Sequence, residues 1–153
     1  MPEFHRKQNR LGPASYLGQN SYFLTLCANE RSKILANTTP VESVVSVLRT
    51  ACKSHGFNVY AYCFMPDHLH LVVLGLSDTA GLPSFMQAFK SLAARETRNL
   101  GIAKLWQKGF YDHVLRDGES IDAAAAYAFL NPVRAGLVWR AEEWPYSGSF
   151  MFA

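Results

Sequence analysis

Met65-Pro66-Asp67-His68-Leu69-His70-Leu71-Val72 places two imidazoles two residues apart in an apolar stretch. Such a stretch reads as a strand, where residues i and i+2 share a face with Cα atoms roughly 6.5–7 Å apart. Two neutral imidazoles at that spacing can converge on one divalent ion, while Leu69 points to the opposite, core face. Two histidines leave a coordination shell incomplete. A third protein ligand is needed, and open positions for water or phosphate suit catalysis better than structure. A solvated His-x-His on an exposed strand would look the same, so the pair alone does not decide. Asp67 reads as a turn residue or as a partner of the histidines.

A second constellation is Tyr127-Ala128-Phe129-Leu130-Asn131-Pro132-Val133. On a helix, Tyr127 and Asn131 are i and i+4 and share a face. A phenol nucleophile and an amide oxygen could then approach one spot, with Asn131 as the third ligand. Tyrosine suits phosphoryl transfer because a phosphotyrosine ester stores the energy of the broken phosphodiester for rejoining. Packing and helix termination are the plainer explanations for a helical tyrosine and an Asn-Pro. Tyr111 in Gly109-Phe110-Tyr111-Asp112-His113 is a rival nucleophile, and Tyr60 and Tyr62, two apart on one strand, could stack bases.

The elements that must position these groups follow from pattern. Tyr22–Cys27 is rich in strand formers. Pro40 precedes a helical stripe at Val41, Val44, Val45, Val47 and Leu48, which Gly56 ends. Phe57–Met65 and Leu69–Leu76 form a hairpin about the Pro66-Asp67 turn. Ser84 can cap a helix whose apolar face is Phe85, Met86, Phe89, Leu92 and Ala93, with Gly101 closing it. Trp106–Arg116 reads as extended, partly strand-like chain. Ile121–Leu130 is a helix with Asp122 in its first turn, and Pro132 stops it near Asn131. The order β-α-β-β-α-β-α gives an α+β fold: an antiparallel sheet with helices packed on one face, as in ferredoxin-like and RRM-like folds, and the other face free for a ligand.

The 153 residues fit one domain spanning 1–153, about half of them hydrophobic. A formal charge of +3 permits a polyanionic partner without demanding one. Residues 1–18 carry Arg6, Lys7 and Arg10 among glycine and proline, and read as a loosely ordered basic arm. Cys27, Cys52 and Cys63 are odd in number and lack Cys-x-x-Cys spacing, which argues against a disulfide framework or a structural zinc site and favours buried thiols in a reducing cytosol. No apolar run is long enough for a membrane span.

The stretch Tyr60–Val72, the block Trp106–Arg116, the segment Tyr127–Val138 and the ending Trp144-Pro145-Tyr146-Ser147 together resemble the single-tyrosine transposases with a His-hydrophobic-His (HUH) motif. The Asn-Pro-Val and Gly-Leu-Val that follow Tyr127 are most similar to the REP-associated tyrosine transposase branch. The resemblance implies metal-dependent cleavage and rejoining of single-stranded DNA, often beside a hairpin. His68 and His70 match the metal ligands for Mg²⁺ or Mn²⁺, Asn131 the position of a Gln or Asn ligand, and Tyr127 the nucleophile that leaves a 5′-phosphotyrosine. Lys90 matches a helical lysine that contacts phosphate. With Arg116 and the arm residues Arg6, Lys7 and Arg10 it forms the expected DNA-binding set. Gln107, Tyr111 and His113 fall at recurrent family positions without an assigned task; His113 fits a ligand, a DNA contact or a structural hydrogen bond. A domesticated, non-catalytic hairpin-binding module is the alternative. A replication-initiator or relaxase type of nickase is disfavoured by the Asn-Pro-Val and Trp-Pro-Tyr-Ser context. A monomer and a homodimer both fit.

Overall fold

Val41, Val44, Leu48, Ala51 and Cys52 recur every three or four residues and are buried along one stripe of helix α1 (Thr38–His55). Gly56, at φ +70°, ends α1 in the left-handed conformation that its missing Cβ permits, and its N–H bonds the Cys52 carbonyl. Helix α2 (Leu82–Arg98) repeats the pattern with Phe85, Met86, Phe89 and Ala93. It begins after Gly81, with Pro83 in its first turn and no side-chain cap. Ser84 is the third residue of the helix, three positions past the N-cap Gly81, so it does not serve as the expected cap.

The computed structural model describes residues 11–151. Five strands form one antiparallel sheet in the order β4-β1-β3-β2-β5: β1 Ser21–Cys27, β2 Phe57–Met65, β3 His68–Gly75, β4 Tyr111–Val114 and β5 Ser147–Gly148. The β2–β3 hairpin therefore occupies the middle, with β3 in the centre. The α+β architecture with α1 and α2 layered on one face is as expected. These helices cover Leu24, Leu26, Leu69, Leu71 and Val73.

The opposite face differs from the open surface expected. Helix α3 (Ile121–Phe129) lies against it, burying Ala124, Ala125 and Ala128 on Phe23, Ala61, Cys63, Met65 and Val72. The central strands are consequently buried on both faces, which explains their near-continuous apolar runs. Ser120 caps α3 by accepting from the Ala123 N–H at 3.2 Å.

A bulge in β2 shifts the register between Val59 and Ala61. It separates the two tyrosines expected to share a face. Tyr60 packs on the α3 side and its hydroxyl donates to Asp122, whereas Tyr62 packs on the α1 side against Phe64 and Phe150. An inserted residue inverts the side-chain alternation beyond it.

The expected loose arm does not extend to residue 18. Pro13–Tyr16 is a 3₁₀ turn, Tyr16 is buried against Tyr22, and Leu17 bridges to Gly81. Arg6, Lys7 and Arg10 lie outside the described residues. The three cysteines are buried free thiols; burial pushes Cys52 up to about 12 and Cys63 up to about 11. Among the described residues, no helix is long and apolar enough to cross a membrane.

Candidate active site

His68 and His70 open strand β3, directly after the Pro66-Asp67 turn. Their place is fixed by the register: His70 faces Thr25 on β1 and Cys63 on β2, and His68 faces Cys27 and Met65. Residues directly opposite one another share a sheet face, so a row runs Tyr111–Thr25–His70–Cys63–Ser147 across all five strands. Leu69, between the histidines, is fully buried on the other face, as expected.

Each imidazole is oriented through its Nδ1. His68 Nδ1 lies 2.7 Å from the Asp67 carboxylate, which can only accept, so Nδ1 is the donor; in the neutral ring Nε2 is then the acceptor. His70 Nδ1 lies 3.0 Å from the buried Thr25 hydroxyl, which can accept in the same way. The two Nε2 atoms then point at one another, 3.2 Å apart. Nitrogens about 2.1 Å from one divalent ion, at angles between square and tetrahedral, are separated by about 3.0–3.4 Å. The pair therefore fits adjacent ligands of a single ion. Tying the outer ring nitrogen to a carboxylate or hydroxyl is how metal-binding histidines are commonly held.

Asp67 is itself held. Arg31 Nε donates to its second oxygen at 3.0 Å. Burial alone would raise the Asp67 carboxyl, but the hydrogen bonds from His68 and Arg31 outweigh it and keep the group below the usual carboxylate range. The turn is clamped by its neighbours, since the Ala28 N–H bonds the Asp67 carbonyl and the Leu35 N–H bonds the Pro66 carbonyl. Glu30 and Arg31 adopt φ values of 55° and 54°, a left-handed backbone costing of order 1–3 kcal/mol per residue. That strain sits in the loop that delivers Arg31 to Asp67.

Asn131 is the third group at the pair. Its Nδ2 lies 3.5 Å from His68 Nε2, and turning the amide over would present Oδ1 there instead, an acceptor suited to a cation. Helix α3 ends at Phe129, and Leu130 remains in the right-handed region. A second short helix, α4 (Asn131–Arg134), follows directly with Pro132 in its first turn. Pro132 thus starts a new turn of helix as well as following the end of α3.

Tyr127 is half-buried in the last turns of α3. Its ring meets Phe23 edge-on at 5.7 Å, and Phe23 meets the His70 ring at 5.2 Å. The Arg134 guanidinium lies over the Tyr127 ring, 3.9 Å from its centroid. One aromatic side chain thus joins the tyrosine to the histidine pair.

The other expected residues have defined positions. Lys90 donates to the carbonyls of Gln107 and Gly109 at 3.1 and 2.6 Å, and burial lowers its ammonium from the ordinary lysine range. It holds the 107–109 loop beside Cys27. Gln107 is exposed on that loop, its backbone N–H bonded to the Cys27 carbonyl. Tyr111 shares the row of His70 but lies two strands away, beyond Thr25. His113 is on the same face, and its Nε2 bonds Glu119 at 2.7 Å. Glu119 would be raised by burial, yet the His113 hydrogen bond and the Arg116 N–H lower it. The Arg116 side chain is exposed. Thr25, Arg31, Phe23 and Arg134 were not marked by the sequence; the first three act on partners far along the chain, and Arg134 on Tyr127, seven residues before it.

The sequence pattern of the IS200-like transposases matches residues 17–127, well over half of the chain and inclusive of both histidines and Tyr127. The chain belongs to the IS200-like transposase family. Among similar members of this transposase group is a Haemophilus influenzae protein described as a REP-associated tyrosine transposase, 28% identical over 141 residues, covering 82% of this chain and 77% of the relative. The REP-associated tyrosine transposase of Escherichia coli K12 is 24% identical over 133 residues, covering 86% of this chain and 78% of the relative. The fold is likewise that of a REP-associated tyrosine transposase solved bound to a REP hairpin, with a TM-score of 0.74 at 24% identity over 96% of this chain and 82% of that one.

Proposed function

We propose that this IS200-like transposase cuts and rejoins single-stranded DNA at hairpin-containing sites through a 5′-phosphotyrosine on Tyr127. The observation that carries the reading is the convergence of His68 Nε2 and His70 Nε2 at 3.2 Å, with both Nδ1 atoms tied off. With Nδ1 as the donor of each neutral ring, the two Nε2 atoms would offer their lone pairs to one ion, on the sheet face where α3 brings Tyr127.

His68, His70 and Asn131 would hold Mg²⁺ or Mn²⁺. When bound, such an ion polarises a phosphodiester and offsets charge developing on its oxygens. Asp67 and Thr25 hold the outer ring nitrogens and so align the imidazoles. The Tyr127 hydroxyl oxygen attacks the phosphorus, the bond from phosphorus to the 3′-oxygen breaks, and the phenol proton ends on that oxygen. A 5′-phosphotyrosyl link and a free 3′-hydroxyl result. A 3′-hydroxyl attacking the link reverses the chemistry, so rejoining needs no other energy source. Arg116 and the residues Arg6, Lys7 and Arg10 supply cations for the phosphate backbone. Lys90 contributes there chiefly by shaping the 107–109 loop.

The test is a covalent adduct on a denaturing gel, using labelled hairpin oligonucleotides from the protein's genomic flanks with Mg²⁺ or Mn²⁺. The expected adduct disappears in Tyr127→Phe and with a chelator, and persists in Tyr111→Phe. An adduct that follows Tyr111 moves the nucleophile to β4. Tight binding with no adduct under either metal replaces the enzyme with a hairpin-binding module.

A further inference from the structure

We propose that Arg134 is a positioning residue for the Tyr127 nucleophile, an inference that rests on the reading of Tyr127 given above. Two contacts of one guanidinium carry it. Its face covers the Tyr127 ring at 3.9 Å, and its Nη2 donates to the Tyr127 carbonyl oxygen at 2.6 Å. That carbonyl lies in the last turn of α3, where backbone oxygens run out of partners within the helix. A basic side chain reaching back from beyond the helix end is a recognised way to satisfy them.

The combination is more restrictive than either contact. Fixing the backbone oxygen and the ring with the same rigid, planar group sets the ring relative to its own backbone. The edge-on contact with Phe23 limits it on another side. Tyr127 is thereby held between a group leading to His70 and a group leading to α4.

Helix α4 supplies the second half of the argument. Its first residue, Asn131, lies beside His68, and its last, Arg134, lies on Tyr127. Residues i and i+3 of one helical turn therefore reach the two halves of the site. The helix sets the distance between the ion-binding amide and the tyrosine ring. Misplacing a nucleophile by about 1 Å can cost about 100-fold in rate, so such a clamp has a kinetic consequence without touching the DNA.

The experiment compares wild type, Arg134→Ala and Arg134→Lys on one labelled flanking hairpin with Mn²⁺. Arg134 is exposed, so both variants are expected to fold; circular dichroism checks this. Arg134→Ala should slow adduct formation about 10–100-fold, with little change in DNA affinity or in its salt dependence. Arg134→Lys should not restore the rate, because an ammonium lacks the planar face, whereas added guanidinium ion should partly restore Arg134→Ala. Loss of affinity with a salt slope reduced by about one, recovered in Arg134→Lys, would make Arg134 a phosphate contact and overturn the proposal. A second arm uses ring-labelled tyrosine NMR on the DNA-free protein, with Tyr127→Phe assigning the signal. Arg134→Ala should move and broaden the Tyr127 ring resonances, and unchanged resonances would also overturn the proposal. If wild type forms no adduct, the nucleophile reading fails, while the NMR arm still decides whether Arg134 sets the ring.

Discussion

His68 Nε2 and His70 Nε2 face one another at 3.2 Å because their Nδ1 atoms are taken by Asp67 and Thr25. The supporting pair should therefore matter nearly as much as the imidazoles. Thr25→Val, which keeps the shape and removes the hydroxyl, is expected to weaken Mn²⁺ binding about 10–100-fold, and Asp67→Asn by a similar factor. Calorimetric titration with Mn²⁺ measures it. Affinities at the wild-type value in both variants would show that the outer nitrogens do not control the site.

The capping serine of α3 gives a contrast between two sequence signals that look alike. Ser120→Ala should cost about 1 kcal/mol of stability, because its oxygen accepts from the Ala123 N–H. Ser84→Ala, inside α2 and without a cap bond, should change stability by less than about 0.5 kcal/mol. Urea unfolding of both separates them, and equal losses would contradict the assignment.

Gly75 tests close backbone approach. A Cβ there would lie 2.1 Å from the Gly18 carbonyl oxygen and 3.1 Å from the Ala80 Cβ. Backbone cannot move aside as a flexible side chain can, so Gly75→Ala should destabilise by about 1–3 kcal/mol. A midpoint of thermal unfolding within error of wild type would refute it.

Glu119 supplies a pH dependence. Its carboxyl is lowered on folding because the His113 hydrogen bond and the Arg116 N–H outweigh burial. A carboxylate lowered in the folded state contributes stability above its unfolded pKa, and that contribution is lost as pH falls through the folded value. The gap in urea midpoint between wild type and Glu119→Gln should thus be present at about pH 6 and shrink towards about pH 3. A gap that is constant or grows on acidification would reverse the sign.

Local signals in the sequence located most of the elements, because each element is written in neighbouring residues. Strand β2 spans Phe57–Met65 as its alternation and the Pro66-Asp67 turn indicated, and Gly56 ends α1. The His-x-His pair and the Tyr127–Asn131 spacing were equally legible, since a strand or helix period places them. What was hidden came from partners distant in sequence. Thr25 and Arg31 reach His70 and Asp67 from 45 and 36 residues away, and nothing near them marks that role. The bulge beside Tyr60 was hidden as well, because an inserted residue leaves composition unchanged while inverting the alternation after it. The docking of α3 on the second sheet face was obscured because an alanine run favours helix strongly and has no marked apolar stripe to give its buried side away.

That alanine face has a dynamic consequence. The helix bearing Tyr127 is seated by the methyl groups of Ala124, Ala125 and Ala128, which remove little apolar area from water. Strand β3, bearing the histidines, is hydrogen-bonded on both edges and covered on both faces. The two halves of the site are therefore expected to open with different free energies. Amide hydrogens of α3 should exchange through a low-energy local opening, while those of β3 wait for opening of the whole domain. Tyr127 is thus expected to ride on the part of the molecule that opens and reseats without melting the sheet.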